Sequence, residues 1–269
     1  MLRAATREAV ALTGHLLRYP SGIQPEQITD PGAAPPPATE GEGTGAPPVL
    51  LLHGFSDNRS TFVALRRSLL DNGWPHVHCV NHSLLTWDVH EAAELLGEHV
   101  DRVRRTTGHD RVDLVGHSLG GLIGRCFVQR LGGDAFVRTL VTLGTPHAGT
   151  YAAAALPPHP LARQMVPGSD LLGELAGPTG GGCATRFVNI WSEHDLFVLP
   201  AHHARLEHPD LAVTNVRVRG VGHLMLPVDA TIAAWIRDEL GAQPTVFGAA
   251  AERAGERAGP GRPDAAGAA

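Results

Sequence analysis

The stretch "DLVGHSLGG", Asp113 to Gly121, sets a histidine and a serine between glycines directly behind an apolar run. Glycine there forfeits side-chain packing and adds backbone entropy, so its use asks for a reason other than stability. Gly116-His117-Ser118-Leu119-Gly120 matches G-x-S-x-G where a strand pattern hands over to a helix pattern. The motif has a mechanical meaning. The serine occupies a sharp, strained turn that holds its hydroxyl clear of the sheet, and a side chain at 116 or 120 would collide with a neighbouring element. The first turn of the following helix adds free backbone N–H groups beneath it. With 32 Gly and eight Ser in the chain, chance supplies about 0.1 such matches, so the strand-to-helix context carries the weight.

Outward from this point, short apolar runs alternate with helical patterns. "VLLL" (Val49–Leu52), "HVHCV" (His76–Val80), "VDLV" (Val112–Val115), "TLVTL" (Thr139–Leu143), "RFVNIW" (Arg186–Trp191) and "AVTNVRV" (Ala212–Val218) read as six strands. Helices are expected near Arg59–Leu70, Val89–Arg105, Leu119–Leu131 and Val228–Leu240. This order predicts an α/β fold with a mostly parallel central sheet of about six strands and helices on both faces. In such sheets the ligand site lies at the carboxyl ends of the strands.

A serine hydroxyl is nearly inert at neutral pH and needs a base, which in turn needs an orienting acid. Asp195, in "NIWSEHDLFVLP", falls four residues beyond the fifth strand, and His223, in "VRVRGVGHLML", just past the sixth. The chain order Ser, Asp, His suits this architecture. Rivals exist. The chain has 16 histidines; His53 and His147 lie near the same rim, and His117 adjoins the serine and should diverge from it on the turn. Glu193 and Asp170 compete with Asp195 for the acid. For the oxyanion of a tetrahedral intermediate, "LLLHGFSDN" offers a loop in which Gly54 lets the backbone turn toward Ser118. The backbone N–H groups of Phe55 and Leu119 are the candidate donors.

Composition narrows the function classes. The 269 residues, 43% of them hydrophobic, suffice for one large domain, and a net charge of -5 without a basic stripe argues against a nucleic-acid partner. Cys79, Cys126 and Cys183 lie far apart and cannot all pair, which suits a reducing compartment, so the expected location is the cytoplasm. No CxxC or HExxH occurs, and the adjacent His202 and His203 would diverge on a helix, so neither a metal nor another cofactor is expected. Residues 1–29 carry an amphipathic helix (Leu2, Ala5, Ala9, Leu12, Leu16) that Pro20 ends. It lacks the marks of an export signal and is expected to pack on the domain, with contact to a lipid surface as the alternative. Residues 30–48 read as a Pro/Gly/Ala linker, 49–240 as the domain, and 241–269 as a disordered tail.

Taken together, "LLLHGF", "VGHSLGG", "TLGTPHAGT", "SEHDLFVLP" and "GVGHLML" resemble the α/β-hydrolase superfamily and, within it, bacterial triacylglycerol lipases and esterases, over roughly Val49 to Leu240. The resemblance implies carboxyl-ester hydrolysis, with Ser118, Asp195 and His223 in the roles above, Phe55 and Leu119 at the oxyanion, and a small-molecule ester or lipid as partner. "GTPHAGT" looks like the lipase segment beside the pocket, which supports the site without reacting. Two departures stand out: no export signal is seen, and little sequence precedes the first matched strand. Residues 150–182 are too long for a plain connection. Leu156, Leu161, Met165, Val166, Leu171, Leu172 and Leu175 there would either cap an acyl groove or pack on the core. An acyltransferase or thioesterase would use the same residues, and a non-enzymatic binding module would keep the fold without needing them.

Overall fold

The computed structural model describes residues 19–22, 45–55, 57–81, 86–156, 159–242 and 256–258. The expected N-terminal helix, except for a short turn at Tyr19–Gly22, and the linker up to residue 44 lie outside them. Among the described residues, seven strands form one parallel sheet: β1 Val49–Leu52, β2 Val77–Val80, β3 Val112–His117, β4 Val137–Leu143, β5 Arg186–Ser192, β6 Ala212–Val218 and β7 Glu256–Ala258. Their order is β2-β1-β3-β4-β5-β6-β7, and each neighbouring pair is parallel. The helices are α1 Val63–Leu70, α2 Val89–Thr107, α3 Leu119–Arg130, α4 Pro160–Gln164, α5 Asp170–Ala176 and α6 Ala230–Gly241.

The continuous apolar runs follow from burial on both faces. All four residues of β1 are buried, and their side chains alternate between two cores. Leu50 and Leu52 join Leu96 and Val100 of α2 and Leu122 and Ile123 of α3 on one face. Val49 and Leu51 join Leu65 and Leu69 of α1 and Ile232 and Ile236 of α6 on the other. Local signals set the helix ends. Asp88 accepts from His90 N at 2.8 Å to start α2, and Gly108, at φ 71, ends it in the left-handed conformation.

The tail departs from expectation. Sequence composition placed everything after Leu240 outside the fold, yet Glu256–Ala258 lies beside Asn215, Val216 and Arg217 as a seventh strand. The outer edge of β6 offers unpaired backbone groups, and pairing with them needs no apolar pattern in the added strand. Residues 243–255 and 259–269 are outside the described set.

The described residues among 150–182 lie against the first core. Leu161, Met165, Leu171, Leu172 and Leu175 are buried in one cluster with α2 and α3. Val166 packs on that cluster only partly buried, and Leu156 is exposed. The buried guanidinium of Arg125 in α3 donates to Leu175 O at 2.7 Å, while Arg130 donates to Pro178 O at 2.9 Å. Burial lowers the pKa of Arg125 to about 10, with Arg130 adding to the effect.

One ion pair inside the sheet makes a stability prediction. Arg138 of β4 grips the fully buried carboxylate of Asp113 in β3 through Nε at 3.0 Å and Nη2 at 2.6 Å. Burial pushes the Asp113 pKa up, and the arginine only partly offsets this. Arg138→Met should therefore destabilise the domain by about 3–5 kcal/mol, read from urea midpoints, because it leaves a buried carboxylate unpaired. Arg138→Met together with Asp113→Leu should recover most of that loss.

Candidate active site

The register aligns the strand ends. His117 pairs with Leu143, and Ser192 with Val218. The next residues along the chain, Ser118, Gly144, the Glu193–Asp195 turn and the loop to His223, therefore emerge along one edge of the sheet. The loop after β1 joins them because Leu52 pairs with Gly116.

Ser118 has φ 52 and ψ -119, and among the described residues it is the one non-glycine with positive φ. Its N–H donates to Leu143 O at 2.9 Å, which ties the turn to β4. The flanking glycines leave room for nothing larger. A Cβ on Gly116 would sit 2.5 Å from Gly121 N, and one on Gly120 2.3 Å from Leu52 O. Substituents there would strike backbone, which cannot yield as a flexible side chain can.

Asp195 and His223 meet as a buried pair. His223 Nδ1 lies 2.7 Å from Asp195 Oδ2, with side-chain exposures of 4% and 0%. Asp195 Oδ1 accepts from the backbone N–H of Phe197 and of Val198, both at 2.8 Å. Burial alone would raise the Asp195 pKa; the neighbouring His223 and these hydrogen bonds outweigh it, and the net shift is downward. With the proton on Nδ1 facing the carboxylate, Nε2 of His223 presents a lone pair.

Gly144, at φ 55, forms the floor beneath the pair. A Cβ there would lie 3.0 Å from His223 Nδ1 and 3.1 Å from Asp195 Oδ2. The His223 ring is held between Phe197, at 5.0 Å, and His117, at 4.7 Å.

Phe55 sits half-buried in the turn after β1, and Leu119 is the buried first residue of α3. The turn comes close to the serine: a Cβ on Gly54 would lie 3.3 Å from Ser118 Cβ. Leu119 N–H, in the first turn of a helix, has no acceptor within that helix.

The rivals have other employment. Glu193 is exposed and pairs with Arg217 at 2.9 Å and Arg219 at 3.4 Å. Asp170 is exposed at the start of α5. His53 Nδ1 is 2.9 Å from Gly54 O. His147 Nε2 lies 3.1 Å from Thr142 Oγ1 and its Nδ1 3.5 Å from Arg125 Nη1. Burial, followed by Arg125, drives the His147 pKa well below the usual imidazole value. Phe197 and Gly144 were not picked out by sequence reasoning as parts of the site, and His117 was weighed only as a rival base. Phe197 had one available signal, an aromatic residue two places beyond a candidate acid.

With this geometry in place, comparison with known proteins shows what the chain is similar to. The model of the palmitoyl protein thioesterase family matches residues 48–177, with Ser118 inside that span and Asp195 and His223 beyond it. Aspergillus fumigatus lipase B shares the fold with a TM-score of 0.66 and 18% identity, covering 77% of this chain. The match spans 55% of that lipase. The mature form of the Bacillus licheniformis lipase BlEst2 matches with a TM-score of 0.62 and 15% identity, over 73% of this chain and 93% of that one. MGS-MChE2, an α/β hydrolase from a metagenome of lagoon sediments in Morocco, matches with a TM-score of 0.51 and 20% identity, over 73% and 89%.

The chain has the α/β-hydrolase fold.

Proposed function

We propose that the chain hydrolyses carboxylic esters of apolar acyl groups through an acyl-enzyme on Ser118. The observation that carries the reading is the buried His223–Asp195 pair, 2.7 Å apart, on the sheet edge that also bears the strained serine. His223 Nε2 takes the hydroxyl proton as Ser118 Oγ bonds to the carbonyl carbon, and Asp195 stabilises the imidazolium. The N–H groups of Phe55 and Leu119 receive the oxyanion, each worth on the order of 3 kcal/mol to the barrier. The imidazolium then protonates the departing alcohol as the ester C–O bond breaks. Water, deprotonated by the same imidazole, attacks the acyl-enzyme and releases the acid and the free serine.

Exposed apolar side chains beside the pair support an apolar substrate. Leu196, Phe197, Leu199 and Tyr151 are 58%, 45%, 40% and 63% exposed. Tyr151 N–H donates to Leu199 O at 3.0 Å, which joins the two segments. A second reading, thioester hydrolysis by the same steps, is favoured by the palmitoyl protein thioesterase match.

A series of oxyesters from acetyl to decanoyl, run beside the matching thioesters, tests both. The expected result is a kcat/KM that rises beyond acetyl, with a fluorophosphonate adduct on Ser118. A steady decline from acetyl to decanoyl defeats the apolar-acyl reading, and the thioester-to-oxyester ratio chooses between the two bonds.

A further inference from the structure

His117 has no part in the proton path above, yet it touches both His223 and the loop after β1. It precedes Ser118 in the chain and its side chain is 1% exposed. Its Nε2 lies 3.2 Å from the backbone oxygen of His223. Its ring packs 4.7 Å from the His223 ring. The opposite edge meets the loop after β1: Nδ1 is 3.5 Å from Asp57 Oδ2, and a Cβ on Gly54 would lie 3.3 Å from that nitrogen.

We propose that His117 is a positioning residue: its Nε2–H donates to the His223 carbonyl while its ring spaces His223 from the Gly54 turn. The distances from Ser118 to the base and to the Phe55 N–H are thereby set together. This inference rests on the Ser118–His223–Asp195 reading and adds a residue to it.

The chemistry of the contacts assigns the proton. A neutral imidazole carries one N–H, and a carbonyl can only accept. The Asp57 carboxylate at 3.5 Å can likewise only accept, and the proton goes to the shorter contact, 3.2 Å to His223 O, on Nε2. Burial pulls the His117 pKa down against Asp57, which keeps the ring neutral. The same His223 carbonyl accepts from Leu226 N–H at 3.2 Å, so both its lone pairs are engaged. His223 itself opens a turn of three residues, His223–Met225. A ring needed merely to fill space would require no donor at this carbonyl.

The test compares His117→Phe with His117→Gln, whose amide nitrogen can occupy the place of Nε2. Turnover of a chromogenic ester and the rate of fluorophosphonate labelling of Ser118 are measured below the melting temperature of each variant. The phenylalanine variant should lose at least about 10-fold in kcat and in labelling rate with KM within about 2-fold, since sub-ångström misplacement of reacting groups is that costly. The glutamine variant should recover most of the loss. Wild-type rates in the phenylalanine variant, or equal losses in both, overturn the proposal. Should His117→Phe not fold, His117→Met replaces it against the same glutamine variant. Ser118→Ala runs in parallel: if the wild type takes up no label and the alanine variant keeps full turnover, the triad reading itself fails, a result separate from any His117 effect.

Discussion

Ser118→Ala is expected to lower kcat for ester hydrolysis roughly 10^6-fold, with the residual rate set by binding and the oxyanion donors alone. Substrate affinity should change little, because the hydroxyl forms its new bond only on the way to the transition state. The same position predicts an opposite effect on stability. At φ 52 and ψ -119, Ser118 sits in a backbone region costly to any residue with a Cβ, by about 1–3 kcal/mol. Alanine keeps that cost, so Ser118→Ala should melt near the wild type. Ser118→Gly relieves it and gives back part through the freer unfolded chain. The net expectation is a gain on the order of 1 kcal/mol for a variant as inactive as the alanine one. Calorimetry of the three proteins checks this. Equal melting of the alanine and glycine variants would show that the turn stores no strain.

Asp195→Asn is expected to cost about 10^4-fold in kcat. The amide is isosteric, but it lacks the charge that stabilises the imidazolium, and it removes the acceptor that keeps the proton on Nδ1. An amide that turns its oxygen to the Phe197 and Val198 N–H groups, as Asp195 Oδ1 does now, points its nitrogen at His223 and favours the wrong tautomer. Stability follows from the depressed pKa of Asp195. A carboxylate whose folded pKa lies below its unfolded value, about 3.9, contributes stability that is fully present above that value. The contribution is lost as pH falls through the folded pKa. The stability gap between wild type and Asp195→Asn should thus be widest at neutral pH and close in acid, as urea midpoints at pH 7 and below pH 4 would reveal. A gap independent of pH would mean that the ionised carboxylate is not held by His223.

Much of the core was legible because its signals are local. The apolar runs at Val49–Leu52 and Ala212–Val218 are strands at the stated bounds, since strands buried on both faces must be apolar throughout. The turn at Ser118 was legible for the same reason: its glycines answer to atoms within a few residues and on the next strand. Choosing Asp195 over Glu193 was harder. The two stand two places apart on one turn, and only the fold sends one to His223 and the other to Arg217 and Arg219. His117 shows the limit most clearly. It does turn away from its neighbour Ser118, as a tight turn requires, but the direction it takes ends against His223, 106 residues along the chain.

From its own residues the chain determined the alternation of strands and helices, the parallel sheet and the place of the strained serine, because periodicity and turn chemistry act over a few positions. Tertiary structure alone decided which carboxylate meets the imidazole, what His117 packs against, and where the described part of 150–182 and Glu256–Ala258 come to rest. Those outcomes depend on contacts between segments far apart in sequence, and burial, pairing and charge fix such contacts only once the sheet has brought the segments together.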